Sequence, residues 1–222
     1  MSTWVGPALA AHVPRLAVAY RLDRTLDAPD RVGLTFDDGP HAEGTPAVLG
    51  ELRRRGATAT FFVVGEQVAR RPALARQIVD EGHELALHGY RHVLLLRRSV
   101  RELASDLDRS VAAIEDAAGV SPTLYRPPYG VFSSGALAYV RARGWRPLLW
   151  SRWGRDWERW ATPTSIARRA TGNLRPGDVV LLHDSDAYSS ADSWRKTTAA
   201  LPSVLEAVAA LGVTASRVTH ST

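Results

Sequence analysis

The stretch Thr35-Phe36-Asp37-Asp38-Gly39-Pro40 decides how the rest of the chain is interpreted. A strand-like apolar segment that begins at Val32 ends in two adjacent carboxylates, and a Gly-Pro turn follows them. Two neighbouring acids at a strand end repel each other unless a cation or a proton lies between them. An ordinary acidic turn before Gly-Pro has the same composition, so the hexapeptide alone leaves a structural and a functional interpretation open.

The composition is typical of a globular protein with a single α/β core. The chain has 222 residues, of which 45% are hydrophobic and 23% are charged, and this length is sufficient for a barrel or a doubly wound sheet. It has no cysteine, which excludes disulfides, thiolate metal ligands and cysteine nucleophiles. Any metal must therefore be bound by His, Asp or Glu, which favours zinc or another divalent ion.

Charge and hydropathy restrict the partners that we expect. The net charge is +5 and nearly all basic residues are arginine, but no basic stripe alternates with aromatic residues, so we expect no nucleic-acid binding. No run of about 20 apolar residues is present, so we expect no transmembrane segment. By default we expect a monomer.

The N-terminal sequence bears on the compartment. Residues 1–26 lack the basic region and the unbroken apolar core of a signal peptide. We therefore expect a cytoplasmic protein if the chain is taken as given. If a leader is missing, an extracytoplasmic or cell-wall-associated protein is the alternative.

Strand and helix patterns alternate along the chain with short connections. Predicted strands lie at 31–36, 58–65, 84–87, 124–125, 146–151, 178–182 and 213–218. Predicted helices lie at 46–55, with Thr45 as N-cap, and at 72–81, 99–118, 134–143, 162–171 and 196–211. This alternation predicts parallel strands joined by crossover helices, as a barrel or an open sheet. Residues 1–30 are predicted to be a lead-in segment before one domain at 31–222.

Polar side chains follow one predicted strand after another. They are Asp37 and Asp38, His88 and His92, the segment 126–129, Asp156, and His183 with Asp184. The carboxyl ends of parallel strands share one face of an α/β fold, and ligand sites form there. Five polar clusters at one end therefore predict a functional site at that face.

His88 and His92 are separated by three residues. On a helical turn this spacing places both imidazoles on one side, as in many metal sites. Together with Asp38 they would leave positions open for water and substrate, which is typical of a catalytic metal site. Two hydrogen-bonded histidines are the structural alternative. The other histidines have no such partners in the sequence, and we expect no role in the site for them: His12, His41, His83 and His220.

In combination, five motifs resemble the polysaccharide deacetylase family, also called carbohydrate esterase family 4, which includes chitin, chitooligosaccharide and peptidoglycan N-deacetylases. The motifs are Thr35-Phe36-Asp37-Asp38-Gly39-Pro40, His88-x-x-x-His92, Arg126-Pro127-Pro128-Tyr129-Gly130, Trp150…Asp156-Trp157 and Leu181-Leu182-His183. The resemblance implies a deformed (β/α) barrel with fewer than eight parallel strands, about seven, and helices outside. Residues 31–222 would then be the catalytic domain.

The resemblance also implies a role for each motif. Asp37 would be the general base, a choice over Asp38 that the residues alone do not make. One divalent metal, most often zinc and otherwise cobalt or nickel, would be held by Asp38, His88 and His92. His183 would be the general acid. Arg126 would hold Asp37 in place, and Asp156 would orient His183.

Substrate contacts follow from the same resemblance. The Tyr129 backbone N–H would help to bind the oxyanion, with Pro128 beside it, and Leu182 would line the pocket for the acetyl methyl. Aromatic faces stack on sugar rings, so Trp153 and Trp157 are candidates for a saccharide groove. Of the other tryptophans, Trp145 and Trp150 are assigned to the core and Trp194 to the border of the site.

The sequence departs from the family at two positions. Gly89 stands where the family usually has Ser or Thr, so a hydroxyl that would fix the metal loop is absent. Trp153 stands where many relatives carry an acid, which leaves Asp156 as the best carboxylate partner of His183. Asp184 and Asp186 are interpreted as solvated residues or strand-end caps.

The expected activity is metal-dependent removal of N-acetyl groups from N-acetylglucosamine-type units of a polysaccharide, glycan or glycolipid. The same machinery acting on another amide, on an ester such as acetylxylan or on a cyclic imide is an alternative. A catalytically silent carbohydrate-binding relative is another. A glycosidase is disfavoured, because adjacent Asp37 and Asp38 cannot flank a glycosidic bond from opposite sides.

Overall fold

A computed structural model describes residues 6–219 of the chain. The lead-in segment contains a short 3-10 turn (Gly6–Leu9) and helix α1 (Pro14–Ala19), after which the chain runs irregularly to residue 30. His220, for which no role was expected, lies outside the described residues. Within this range no helix combines the length and the apolarity that crossing a bilayer requires.

Strands and helices alternate as the hydrophobic pattern predicts. The strands are β1 (Arg31–Asp37), β2 (Thr60–Val63), β3 (Glu84–Leu87), β4 (Leu124–Tyr125), β5 (Arg146–Pro147), β6 (Arg152–Trp153), β7 (Val179–His183) and β8 (Thr214–Ser216). The longer helices are α2 (Gly44–Arg54), α3 (Gly65–Arg70), α4 (Pro72–Asp80), α5 (Val100–Ala118), α6 (Ser134–Ala142), α7 (Pro163–Thr171) and α8 (Ser193–Ala209).

The sheet is parallel and curled. Seven strands follow the order β5-β4-β3-β2-β1-β7-β6, and β8 pairs with the first half of β1. The helices surround this half-barrel, which confirms the predicted deformed (β/α) barrel with about seven strands in the main order. Strand β1 is buried along its whole length, as expected for a central parallel strand that is covered on both faces.

Of the segment predicted as one strand at 146–151, only β5 is a strand, and after a break the next strand, β6, begins at Arg152. The Leu148 N–H still pairs with strand β4, whereas the Ser151 N–H already pairs with β7. Between them, the carbonyls of Leu148 and Leu149 accept hydrogen bonds from the buried guanidinium of Arg126. These two carbonyls therefore bind a side chain instead of a neighbouring strand. The segment that contains them connects β5 and β6, the two outermost strands of the sheet.

Helix α3 was not predicted, but the boundaries of the predicted helices are mostly correct, with one cap assigned wrongly. Ser99 and Glu102 form the predicted capping box at the start of α5, and Thr162 caps α7. Helix α2, however, begins at Gly44, so Thr45 lies inside it. Its hydroxyl accepts from the His41 N–H and donates to Asp184 instead of capping the helix.

Candidate active site

A cavity of about 360 Å³ opens where the strands β1 and β7 end. The register pairs Asp37 with His183 and Thr35 with Leu181, so these aligned side chains project from neighbouring strands toward the same side. Loops after β3, β4 and β6 complete the cavity wall with His88, Tyr129 and Trp157. The predicted polar clusters therefore meet at one end of the barrel.

Asp37 is held by a fully buried arginine. The Arg126 Nη1 donates to Asp37 Oδ1 at 2.6 Å and to the Thr35 hydroxyl at 2.9 Å. Its Nε and Nη2 donate to the carbonyls of residues 148 and 149, and its guanidinium lies 4.0 Å over the Phe62 ring. Because these contacts fix the arginine, it holds Oδ1 of Asp37 in place. The other carboxylate oxygen, Oδ2, faces the cavity.

Asp38, His88 and His92 bring three potential metal ligands together. The Asp38 Oδ1 lies 3.4 Å from His88 Nε2 and 3.3 Å from His92 Nε2, and one ligand atom of each residue lies within 4.8 Å of the others. This oxygen is buried and accepts no hydrogen bond from any residue between 6 and 219. An acceptor that faces two imidazole nitrogens without a proton donor fits a divalent cation.

The tautomer of His88 fits the same interpretation. Its Nδ1 lies 2.8 Å from the carbonyl oxygen of Arg126. Because a carbonyl only accepts, Nδ1 carries a proton, which makes Nε2 the ring nitrogen that can bind a metal. Metal-binding histidines are commonly oriented in this way by a partner on the other ring nitrogen.

The charge states of the group also suit a cation. Burial disfavours the carboxylate of Asp38, but His88, His183 and His92 outweigh burial and lower the pKa of Asp38 to about 2. Burial lowers the pKa of His92 to about 4, against the opposing effect of Asp38. Near neutral pH the group therefore presents an ionised carboxylate and a neutral imidazole, the forms that bind metals.

His183 is paired with Asp156. The Nδ1 of His183 lies 2.9 Å from Asp156 Oδ1, and its backbone N–H donates to Oδ2 at 2.7 Å. The Thr197 hydroxyl donates to the same Oδ2 at 2.7 Å. Burial alone would lower the pKa of His183, but Asp156, with help from Asp38 and Asp37, raises it to about 10. The ring is therefore an imidazolium near neutral pH, with Nε2 directed toward Asp38.

Comparison with known sequences identifies the family. The family profile described as "Polysaccharide deacetylase" matches residues 26–148, which is more than half of the chain. The chain belongs to the polysaccharide deacetylase family. Members of this family are generally metal-dependent, in agreement with the group formed by Asp38, His88 and His92.

Two relatives among the polysaccharide deacetylases are similar over most of their length. A peptidoglycan-N-acetylglucosamine deacetylase of Bacillus cereus is 36% identical over 78% of this chain and 79% of its own length. A chitooligosaccharide deacetylase of Azorhizobium caulinodans is 35% identical over 89% of this chain and 97% of its own.

Solved structures of family members have the same fold. A family 4 carbohydrate esterase from Streptomyces lividans, in complex with acetate, superposes with a TM-score of 0.77 at 32% identity, covering 86% of this chain and 94% of its own. A pseudoenzyme of the family from Bacillus anthracis superposes with a TM-score of 0.76 at 26% identity, covering 85% and 64%.

The loop from His88 to His92 is not the helical turn that the spacing suggested. It is an irregular bend in which Gly89 adopts a left-handed φ of 91°. The Gly89 carbonyl accepts from the Ser110 hydroxyl, and the N–H groups of Tyr90 and Arg91 donate to Asp106. Residues of α5 therefore fix this loop, whose conformation suits glycine at the position where the polysaccharide deacetylase family usually has a hydroxyl residue.

Leu182 does not line the cavity, contrary to expectation. Successive side chains of a strand point to opposite faces, so Leu181 lines the cavity with His183, whereas Leu182 faces the side of Gly154 and Ile166. Pro128 is likewise buried outside the cavity wall. It begins the 3-10 turn that holds Tyr129 in a left-handed conformation with φ 61°.

The aromatic residues divide as expected in most cases. Trp153 and Trp157 line the cavity, and Trp157 forms a T-shaped contact with His183, with ring centroids 5.3 Å apart. Trp145 and Trp150 are buried in the core, and Trp150 also reaches the cavity. Trp194 is buried against His41 and is not among the residues that line the cavity.

Four cavity residues were not predicted from the sequence, His12, Arg155, Tyr188 and Ser189, and two of them pack on other residues of the site. His12, for which no role was expected, lines the cavity and packs on Trp153 with ring centroids 5.5 Å apart. Tyr188 lines it as well, stacked on His92. Neither residue carries a local signal, because each lies in an irregular segment far in sequence from its partner.

Asp184 is neither solvated nor an exposed cap. It is fully buried, accepts a hydrogen bond from the Thr45 hydroxyl and lies close against Gly39. Burial raises the pKa of Asp184 to about 7, with Asp38 adding to the effect and the Thr45 hydroxyl opposing it. The folded state therefore holds a proton on Asp184 at pH values at which the unfolded chain has lost it.

We expect Asp184→Asn to remove a pH dependence of stability. Because the folded pKa is raised, the contribution of Asp184 to stability is lost as the pH rises from about 4 to about 7. The Tm of Asp184→Asn should therefore rise relative to wild type by roughly 5 °C between pH 4.5 and pH 8.5. Asp186→Asn, at a half-exposed position, serves as the control. A constant difference in Tm between Asp184→Asn and wild type would contradict the expectation.

Proposed function

We propose that the protein is a metal-dependent N-deacetylase that acts on N-acetylglucosamine units of a polysaccharide, glycan or glycolipid. One observation carries the proposal: the carboxyl group of Asp37, fixed by Arg126, and the imidazole of His183, fixed by Asp156, face a potential metal-binding group in one cavity. Asp37 Oδ2 lies 3.8 Å from His88 Nε2, and His183 Nε2 lies 4.0 Å from Asp38 Oδ2. Amide hydrolysis needs a proton acceptor and a proton donor on either side of the reacting carbonyl.

The metal-binding role falls to Asp38, His88 and His92. Their donor set of two imidazoles and one carboxylate fits zinc, and cobalt or nickel are alternatives. A divalent ion bound there would lower the pKa of a bound water to about 7 and polarise the carbonyl of the substrate. The protein itself would then contribute the metal ligands, the general base and the general acid.

Asp37 is assigned the role of general base. Its Oδ1 is occupied by Arg126, so Oδ2 is the oxygen that accepts the proton of the attacking water. Arg126 stabilises the ionised carboxylate and fixes its direction. The water oxygen forms a bond to the carbonyl carbon while its proton moves to Asp37, and the carbonyl oxygen gains the negative charge.

The backbone N–H of Tyr129 is assigned to the oxyanion. A well-placed donor of this kind lowers the barrier by about 3–4 kcal/mol. His183 then transfers the proton on its Nε2 to the amide nitrogen of the substrate as the C–N bond breaks, which releases acetate and a free amine. Asp156 keeps the proton of Nδ1 in place, so that Nε2 is the nitrogen that reacts.

Aromatic side chains supply the surface for a sugar ring. Trp153, Trp157 and Tyr129 line the cavity, and 56% of the surface of Tyr129 is exposed. Leu181 lines the cavity, so it is assigned to the contact with the acetyl methyl in place of Leu182. The names of the relatives, which include a peptidoglycan-N-acetylglucosamine deacetylase and a chitooligosaccharide deacetylase, support this substrate class.

Acetate release from a substrate panel tests the function. The panel contains chitooligosaccharides, peptidoglycan, acetylxylan and small amides, each with and without a chelator, and Asp37→Asn is the inactive control. We expect chelator-sensitive release from the N-acetylated glycans. Release from acetylxylan alone would assign an esterase. No release by a zinc-loaded protein would assign the chain to the silent members of the family.

A further inference from the structure

The two proposed ligand histidines are oriented by different means. His88 Nδ1 has a backbone acceptor at 2.8 Å, the carbonyl of Arg126. His92 Nδ1 is buried and has no hydrogen-bond partner in the described residues. A ligand imidazole without such a partner can turn about its ring axis unless packing prevents it. The orientation of His92 must therefore come from its neighbours.

Two tyrosine rings enclose His92. Tyr188 stacks on the imidazole with ring centroids 4.3 Å apart and an angle of 13° between the planes. Tyr129 and the imidazole form a T-shaped contact, with ring centroids 4.6 Å apart and an angle of 66° between the planes. A rotation of the imidazole out of its plane would bring its atoms into the Tyr188 ring. The stacked ring thus restricts the direction in which Nε2 points.

Tyr188 is itself held firmly. Its hydroxyl donates to Glu66 Oε1 at 2.8 Å and accepts from Gln67 Nε2 at 3.2 Å. Both residues belong to α3, whose Gly65 N–H donates to the carbonyl of Gly89 in the loop between the two histidines. Helix α3 therefore holds the tyrosine ring and the histidine loop in one arrangement.

We propose that Tyr188 is a positioning residue for the metal ligand His92, and that its aromatic face substitutes for a hydrogen bond to Nδ1. The proposal rests on the metal-binding role given to Asp38, His88 and His92. It separates two properties of one side chain. The ring orients His92, whereas the hydroxyl anchors the ring on α3. Removing the ring should therefore weaken metal binding far more than removing the hydroxyl.

The zinc affinity of the full chain tests the proposal. It is measured without substrate, so contacts between Tyr188 and a sugar do not affect the result. Apoprotein is prepared with a chelator, and zinc is titrated in competition with a chromophoric chelator. We expect Tyr188→Leu to raise the Kd for zinc by about 10–100-fold, as other losses of ligand orientation do. Tyr188→Phe should stay within about threefold of wild type. The visible spectrum of the cobalt-loaded protein should change in the leucine variant only.

Each result is decisive. An unchanged Kd in Tyr188→Leu overturns the proposal, and so does an equal loss in Tyr188→Phe, which would assign the effect to the hydroxyl. Circular dichroism establishes that each variant is folded. Tyr188→Met, which fills similar space without an aromatic face, replaces the leucine variant if that variant does not fold. Wild-type protein that binds no zinc would overturn the proposed metal site itself, and the role of Tyr188 with it.

Discussion

Asp37→Asn is expected to lower kcat/KM for acetate release by about 10³-fold while leaving the zinc affinity within about threefold of wild type. A general base contributes roughly 10²–10⁴ in rate, and an amide cannot accept the proton of water. Asn has the size of Asp, so the distances to Asp38 and His88 are kept. Steady-state kinetics and a zinc titration on the same preparation measure the two effects.

Asp38→Asn is the matched comparison, because the two acids are adjacent and equally buried. It should lose zinc binding as well as activity. The pair of variants therefore separates a base from a ligand at neighbouring positions. Retained activity in Asp37→Asn, or equal loss of zinc in both variants, would contradict the assignment. Asp37→Asn should also lower the Tm, since Arg126 keeps a buried charge without its carboxylate.

Asp156→Asn is expected to move the alkaline side of the pH profile of kcat to lower pH. Asp156 is the main cause of the raised pKa of His183, which is about 10. Without that carboxylate the imidazolium loses its proton at lower pH, so the proton donor is lost under neutral and alkaline conditions. We expect a decrease in kcat of about 10²-fold or more at pH 8, and a smaller one at pH 6.

Thr197→Val is the control for this experiment. It removes one hydrogen bond to Asp156 but keeps the charge. A carboxylate that loses a donor becomes more basic, so the alkaline side should stay in place or move slightly upward. Profiles of kcat from pH 5 to pH 10 measure the difference. If Asp156→Asn kept the wild-type profile, His183 would not be the proton donor.

The sequence was sufficient for the features that depend on local pattern. The parallel strands were visible as apolar runs, and Asp37, His88 and His183 were visible at their ends because the strand ends share one face. The capping box at Ser99 was likewise a short-range signal. These features need only residues within a few positions of one another.

Features that depend on distant contacts were not predicted. The break at 148–151 arises because Arg126, more than 20 residues earlier, takes the carbonyls of Leu148 and Leu149. Thr45 does not cap α2, because its hydroxyl donates to Asp184, which lies 139 residues further along the chain. Tyr188 and His12 reach the cavity from irregular segments. In each case the decisive partner is remote in sequence, where no periodicity exists.

Arg126 connects the chemistry of the protein to its architecture. The same guanidinium that holds Asp37 also binds the carbonyls of the segment joining the two ends of the sheet order. A change at this position would therefore be selected against twice, once for activity and once for folding. A relative that loses catalysis would dispense with Asp37 or His183 more readily than with Arg126, so an intact arginine is poor evidence that a relative is still an enzyme.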